Sequence, residues 1–280
     1  MVNFNGRFYG DDAPLLRPDN RGFCYGDVLF ETIRVQEGRL LFWEDHYLRL
    51  MASMRILRME IPMEFTMEFL EGHIRESVAK DNLDGKGAEI QLTVFRNSGE
   101  NPSFHTNGVS FLIRCKEIPS QGYDLDTTAY EVELFKDFWV NKDLLSRLRT
   151  NHRSLNVVGR IFAQENGYQD CLLLNGEKSV VGALDANIFV VFGNTVKTPP
   201  LSDGCINGIV RKKLMDLMGK MDGLEIREES IAPFGLQKAD ELFLTNIAQG
   251  IRPITKYRKK EYGHTIASRV LQELNQQLLA

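Results

Sequence analysis

The segment TPPLSDGCINGIVR, from Thr198 to Arg211, joins a turn to the start of a helix in a way that suits anion binding. Asn207 and Gly208 open a predicted helix that runs through Met218. The first amides of a helix lack intrahelical partners and lie at the positive end of its dipole, so they attract anions such as phosphate. Such a segment is, taken alone, more often an ordinary helix start. The anion site therefore needs support from elsewhere in the chain.

Two other segments carry groups that bind anions. Thr245 and Asn246 follow the strand-like run ELFL and offer a hydroxyl and an amide at a strand end, although a simple turn is the alternative. Arg49 lies in the helical sequence HYLRL. It suits bidentate phosphate binding if it points inward, and is a solvated surface residue if it does not. The three segments together predict a phosphate site better than any one of them does.

Other chemical patterns are missing from the sequence. The five histidines have no metal-ligand spacing, so we predict no metal site. No GxSxG, P-loop or GxGxxG motif is present, which removes the common hydrolase, NTPase and dinucleotide signatures. The cysteines, which are Cys24, Cys115, Cys171 and Cys205, lack C-x-x-C spacing, and we expect reduced thiols.

The composition of the 280-residue, 32.0 kDa chain is that of a globular protein, with 43% hydrophobic residues. Its net charge of −4 and pI near 5.8 provide no basic field for nucleic acid. No apolar run approaches the roughly 20 residues of a membrane span, and the N-terminal sequence MVNFNGRFYGDDAP has no apolar signal region. We therefore expect a cytoplasmic protein whose partners include neither nucleic acid nor membrane.

Hydrophobic periodicity predicts mixed strands and helices, and hence an α/β (α+β) fold class. In the first half we predict strands at 28–35, 89–95 and 109–113, a turn at 37–38, and helices at 44–57 and after an N-cap at Thr66. In the second half we predict a helix capped by Ser154 and ending at Glu165, strands at 171–174 and 188–192, and a last helix at 265–279. The turn-rich stretch 118–128 is the predicted linker between a small N-terminal domain, 1–117, and a large C-terminal domain, 129–280.

The sequence also resembles a known family, segment by segment. The N-terminal segments NRGFCYGDVLFETIR (20–34) and EDHYLRL (44–50) are similar to the N-terminal signature of class IV aminotransferases. These fold-type IV enzymes use pyridoxal 5'-phosphate (PLP) and include branched-chain and D-amino-acid aminotransferases and aminodeoxychorismate lyase. The resemblance continues in the family's order through GYQDCLLLN (167–175), ANIF (186–189), TPP (198–200), GIVR (208–211) and Thr245-Asn246.

The resemblance implies a fold, a cofactor and partners. It implies a small N-terminal α/β domain and a larger barrel-like C-terminal domain, with PLP in the cleft between them. It also implies a homodimer whose partner chain helps to build the site, and an amino-acid or keto-acid substrate. The PLP phosphate would be held by Arg49, the amides of Ile209 and Val210, and Thr245 with Asn246. Tyr25 would lie near the substrate.

Two positions depart from the family pattern. The catalytic lysine of the family forms the Schiff base with PLP and carries the proton. Counting back from Gly167 puts Arg149 at the lysine position and Arg153 where the family has a tyrosine or arginine. A guanidinium stays protonated and forms no Schiff base. The glutamate that pairs with the pyridine nitrogen is replaced by Gly182, and Asp185 is the nearest carboxylate.

Three hypotheses follow. The first is a working PLP aminotransferase that uses another amine, such as Lys142, and the second is a lyase of the aminodeoxychorismate type, which Arg153 and Thr245-Asn246 favour slightly. The third is a non-catalytic relative that binds a phosphorylated or carboxylate ligand. The substitutions at Arg149 and Gly182 favour impaired or lost transamination, so that we assign no catalytic residue.

Overall fold

A computed structural model describes residues 1–98, 106–118 and 122–279 of the chain. Residues 119–121 of the predicted linker and His105 therefore lie outside the described residues. The chain divides into two compact units. The first unit comprises Met1–Gly122 together with Arg149–His152, and the second comprises Tyr123–Leu148 and Arg153–Ala280. The short segment Arg149–His152 thus joins the first unit although the chain on both sides of it belongs to the second.

The first unit is a sheet with helices. Its strands are β1 (Val2–Phe4), β2 (Arg7–Tyr9), β3 (Val28–Gln36), β4 (Arg39–Leu40), β5 (Ala88–Arg96) and β6 (Val109–Glu117). Its helices are α1 (Arg21–Tyr25), α2 (Trp43–Ile56) and α3 (Met67–Lys80). The strands form one antiparallel sheet in the order β2-β1-β6-β5-β3-β4. The predicted N-cap at Thr66 is confirmed, because its side chain accepts a hydrogen bond from the Phe69 amide at 3.1 Å.

Strand β3 lies between β5 and the short strand β4 in the sheet of the first unit, and it is almost entirely buried. Successive side chains of a strand point to opposite faces of the sheet. Leu29, Ile33 and the other odd-numbered residues of β3 therefore share one face, and Phe30 and Thr32 belong to the other. Helix α2 packs on the odd-numbered face, where Leu50 and Met54 are buried. A polar residue on that face of β3 thus needs a partner from the helix.

The second unit contains two sheets and several helices. Its strands are β7 (Glu131–Val140), β8 (Asp170–Asn175), β9 (Val180–Ala183), β10 (Asn187–Phe192), β11 (Thr195–Thr198), β12 (Glu225–Glu228), β13 (Glu241–Asn246), β14 (Gly250–Ile254), β15 (Lys256–Tyr257) and β16 (Lys260–Glu261). Its helices are α4 (Ser154–Glu165), α5 (Ile209–Met218), α6 (Pro233–Leu236) and α7 (Thr265–Leu279). The sheet orders are β12-β11-β10-β13-β14 and β16-β15-β7-β8-β9.

A continuous apolar core joins the two sheets of the second unit. It includes Leu172 from β8, Ile188 from β10 and Leu244 from β13, all of them buried. One prediction for this unit is wrong: Ser154 does not cap helix α4. The N-cap is Arg153, which forms no capping bond through its side chain, and Ser154 is the first helical residue. The helix starts one residue earlier than a serine cap requires.

Candidate functional site

A buried carboxylate fixes Arg49 in the first unit. Glu31 of β3 lies on the face that helix α2 covers, and its side chain is 3% exposed. Its Oε1 accepts a hydrogen bond from Arg49 Nε at 2.9 Å, and its Oε2 accepts one from Arg49 Nη2. The Nδ1 atom of His46, one helical turn before Arg49, lies 2.7 Å from the same Oε2. Arg49 therefore points inward, with its side chain 14% exposed.

The electrostatics of this cluster define its protonation states. Burial raises the pKa of Glu31, but the charge of Arg49 and the bonds from His46 and Arg49 outweigh that effect and lower the pKa to about 2. Burial lowers the pKa of His46 despite the attraction of Glu31. Near neutral pH the imidazole is therefore neutral, and its Nδ1 carries the proton that it donates to Glu31. The cluster holds one ion pair and one neutral histidine.

Arg149 lies in the same unit and is held from the opposite face of β3. Its guanidinium stacks on the ring of Phe30, with 4.6 Å between the guanidinium carbon and the ring centroid, and Nη2 donates to Thr32 Oγ1 at 3.2 Å. Its backbone carbonyl accepts from the Phe30 amide at 2.9 Å, and the next residue, Thr150, pairs with Leu29 in an antiparallel bridge. Both backbone and side chain thus fix Arg149 on β3.

Tyr25 and His152 meet at the end of helix α1. Tyr25 is half exposed, and its carbonyl lies 3.1 Å from His152 Nε2. Gly26 follows with a φ of 66°, and a Cβ atom on it would overlap the His152 ring. A glycine is therefore required where the imidazole packs against the backbone.

The start of helix α5, in the second unit, carries two of the residues that the resemblance assigns to the phosphate. Ile209 and Val210 are its first two residues, and Gly208 is the N-cap, without a side chain to cap their amides. Asn187 of β10 packs directly on Gly208, because a Cβ atom there would overlap Asn187 Oδ1. Asn187 also donates to the Ile206 carbonyl at 2.8 Å. These contacts fix the loop that leads into the helix.

Thr245 lies beside this helix start and Asn246 follows it. Thr245 is the register partner of Asn187 in the β10–β13 pair. Its hydroxyl oxygen is buried and has no hydrogen-bond partner. Such a group is costly unless a ligand or water pairs with it. Asn246 Oδ1 accepts from the Gln249 amide at 2.9 Å and so closes the turn between β13 and β14.

The structure leaves no room for a side chain at Gly182. This residue of β9 is buried, has a φ of 156°, and a Cβ atom on it would lie 2.8 Å from the backbone oxygen of Ala186. The Ala183 amide donates to that same oxygen at 2.9 Å. A tight turn therefore closes over position 182, and any residue other than glycine would have to open it.

In the second unit, the charged side chains of Asp185 and Lys142 form ion pairs. Asp185 binds both Arg153 and Arg160 of helix α4, the latter at 2.5 Å. Lys142 Nζ lies 2.7 Å from Glu177 in the loop between β8 and β9, and 3.9 Å from Asp203. The carboxylate of Asp185 and the amine of Lys142 are both engaged in ion pairs.

Sequence reasoning overlooked Glu31, Phe30, Thr32 and Asn187 as parts of the site. A signal for Glu31 was present, since an acidic residue in phase with Leu29 and Ile33 must find a cationic partner in the core. Among the described residues, no group of three or more His, Cys, Asp or Glu side chains is arranged to hold a metal ion. Within the same residues, no helix is long and apolar enough to cross a membrane.

Comparisons with known proteins agree on one family. Residues 28–257 match the family model described as "Amino-transferase class IV". The "Putative branched-chain-amino-acid aminotransferase" of Methanocaldococcus jannaschii is 30% identical over 257 residues, which cover 90% of this chain and 86% of that protein.

Solved structures are similar in fold. The "Putative 4-amino-4-deoxychorismate lyase" of Legionella pneumophila is 26% identical, with a TM-score of 0.82 over 95% of this chain and 96% of that chain. An aminotransferase from Brucella abortus, bound to PLP, is 18% identical, with a TM-score of 0.82 over 100% of this chain and 99% of that chain. The expected fold-type IV architecture, a mixed α/β structure, is confirmed.

The Glu31 ion pair predicts a pH-dependent stability. A carboxylate whose pKa falls from 4.5 to about 2 on folding stabilises the native state above pH 4.5 by about 3 kcal/mol, and this contribution is lost as the pH falls toward 2. We expect Glu31→Gln to lower the free energy of unfolding by about that amount at pH 7, with the difference shrinking in acid. Urea unfolding at several pH values measures this. Glu60→Gln, at an exposed position of the same unit, is the control. Equal pH dependence in Glu31→Gln and the native chain would contradict the prediction.

The closed turn at Gly182 predicts a cost for any side chain there. We expect Gly182→Ala to destabilise the protein by roughly 1–3 kcal/mol, because the new Cβ atom displaces backbone. Gly176→Ala is the matched control, since a Cβ atom at Gly176 meets nothing within 4 Å. Thermal unfolding of the two variants tests the difference. Similar melting temperatures would show that the turn opens freely.

Proposed function

Because the chain belongs to the class IV aminotransferase family, we propose that it binds PLP or a related phosphorylated ligand without forming the Schiff base of a working aminotransferase. The observation that carries this proposal is Arg149. The family resemblance assigns it the position of the catalytic lysine, and two contacts to β3, with Phe30 and Thr32, hold its guanidinium in place. A guanidinium supplies positive charge but no amine nucleophile.

The residues assigned to the phosphate fit that group. In the second unit, the amides of Ile209 and Val210 begin a ten-residue helix, and the unpartnered hydroxyl of Thr245 is buried beside it. Amide and hydroxyl donors at a helix N-terminus suit a phosphate dianion. In the first unit, Arg49 is rigidly oriented by Glu31. With Asn246, these residues are the proposed phosphate ligands.

The residues assigned to the reactive part of PLP do not fit it. PLP catalysis needs an amine to attack the aldehyde and a carboxylate to keep the ring nitrogen protonated. Arg149 lacks the amine, and the turn over Gly182 excludes a carboxylate-bearing side chain at that position. Asp185 is already bound to Arg153 and Arg160. These residues therefore support no step of transamination.

An active aminotransferase or aminodeoxychorismate lyase is the alternative. It needs a lysine other than the one that Arg149 replaces, and Lys142 is the nearest in sequence. The ion pairs of Lys142 with Glu177 and Asp203 count against it, because an amine must lose its proton to attack an aldehyde. The second alternative is a ligand with a carboxylate, which a guanidinium such as Arg149 binds with two N–H groups.

We also propose self-association into a homodimer. In the second unit, the segment of β7 where the pairing with β8 shifts register exposes Phe138 and Trp139. Helix α4 exposes Val157, Val158 and Ile161. Large exposed apolar patches are uncommon on monomers and mark protein interfaces. A cytoplasmic location is a further proposal, supported by the four free cysteine thiols.

Covalent trapping tests the loss of Schiff-base chemistry. We expect the native protein to form no borohydride-stable adduct with stoichiometric PLP, because Arg149 has no reactive amine. We expect Arg149→Lys to gain one adduct, located at position 149 by intact mass and peptide mapping. Arg153→Lys is the matched control and should gain none.

The same experiment separates the alternatives. A single adduct in the native protein would overturn the proposal, and its mapped position, such as Lys142, would identify the amine of an active enzyme. Equilibrium dialysis completes the test. Retention of PLP without an adduct supports the proposal, whereas retention of simple dicarboxylates alone supports the second alternative.

The homodimer is tested by solution mass. We expect light scattering to give twice the 32.0 kDa of one chain. Ile161→Glu places a charge among the exposed apolar side chains of helix α4 and should shift the protein toward the monomer. Met63→Glu, at a fully exposed apolar position of the first unit, is the control. A monomeric native protein would contradict the proposal.

A further inference from the structure

Both oxygens of the Glu31 carboxylate are used to orient one side chain. Arg49 approaches Glu31 with Nε and Nη2, the two adjacent nitrogens on one edge of its guanidinium. Two parallel bonds fix the plane of a guanidinium as well as its position. His46 Nδ1 donates to Oε2 from the preceding turn of α2 and prevents the carboxylate from rotating. Arg49 is therefore held in one orientation.

The elements that carry the two partners are themselves fixed. Glu31 pairs in register with Leu92 of β5, a fully buried residue. The Arg49 carbonyl accepts a hydrogen bond from Ser53 Oγ at 2.7 Å, and Ser53 is buried in α2. An arginine side chain loses rotamer freedom when it is immobilised. Here folding has already immobilised it, so a ligand that binds Arg49 does not have to.

We propose that Glu31 is the positioning residue for Arg49, holding its guanidinium in the orientation that receives the phosphate of the ligand. This inference rests on the proposed function for the phosphate, and it adds a residue that touches no ligand itself. It assigns to the buried carboxylate a role in recognition as well as in stability.

The orienting role of Glu31 and its negative charge predict opposite changes in the affinity for an anion when Glu31 is replaced. Removing the negative charge of Glu31 leaves Arg49 less compensated, so electrostatics alone would tighten the binding of an anion. Removing the fixed orientation weakens binding, because Arg49 must then be ordered by the ligand. Glu31→Gln therefore separates the two effects by the direction of the change in affinity.

The experiment is a double-mutant cycle read with pyridoxine 5'-phosphate and pyridoxine, whose alcohol group does not condense with surface amines. We expect Glu31→Gln to weaken the binding of pyridoxine 5'-phosphate about tenfold and to leave the binding of pyridoxine unchanged. Added to Arg49→Lys, the same change should have no further effect, because Glu31 acts through Arg49. Glu60→Gln is the control. Tighter phosphate binding, an equal loss for both probes, or additive losses would overturn the proposal.

A ligand-free measurement distinguishes this proposal from the proposed function. The Arg49 Nε–H group, bonded to Glu31 at 2.9 Å, should give a slowly exchanging ¹⁵N-correlated NMR signal at neutral pH. The signal is assigned by its loss in Arg49→Lys, and we expect it to be lost in Glu31→Gln as well. If the native protein binds neither probe but shows this signal, the proposed function fails and the positioning stands. A signal that persists unchanged in Glu31→Gln would overturn the positioning itself.

Discussion

The alternation of side chains along strand β3 is the constraint on which the first unit depends. It places Glu31 under helix α2, in a face otherwise made of residues such as Leu29 and Ile33. An ionised carboxylate in such a place costs several kcal/mol unless cations and donors surround it. Helix α2 meets this need with His46 and Arg49, whose spacing of three puts both on one side of the helix.

The same strand serves Arg149 from its other face. Phe30 supplies a ring and Thr32 a hydroxyl, so two guanidinium groups are oriented by consecutive residues of one strand. A shift of β3 by a single residue would exchange its faces and separate both arginines from their partners. The eight-residue register between β3 and β5 prevents that shift.

The regular elements could be predicted from the sequence, because they depend on local periodicity. The strand at 28–35 and the helix at 265–279 lie where their apolar spacing indicates. The predicted cap at Ser154 was wrong because Ser154 is already the first residue of the helix. The N-cap position falls on Arg153, whose side chain forms no capping hydrogen bond. The Arg149 contacts could not be predicted, since they join residues more than a hundred positions apart.

Phosphate binding and the PLP reaction of the family depend on side chains to different degrees. The proposed phosphate binding at α5 would use backbone amides, which survive the substitution of Ile209 or Val210 by other residues. The lysine and the glutamate of the family each depend on one side chain, and the resemblance puts Arg149 and Gly182 in their places. Arginine at position 149 keeps the positive charge of a lysine while removing its reactivity. The turn over Gly182 brings the Ala186 backbone oxygen to the place that a Cβ atom at position 182 would need.

The segment Arg149–His152 belongs to the first unit, although the chain on both sides of it belongs to the second. The first unit is not a contiguous stretch of sequence, because part of the edge of β3 is covered by residues that follow Leu148. A fragment that ended at Gly122 would leave the Phe30 amide and the Val28 carbonyl without the partners that Arg149 and Asn151 supply. Exposed strand edges of this kind recruit strands from other molecules. The residues before Gly122 therefore need the segment Arg149–His152 to cover the edge of β3. A domain exchange that cut the chain after Gly122 would leave this edge exposed and produce a protein that tends to aggregate.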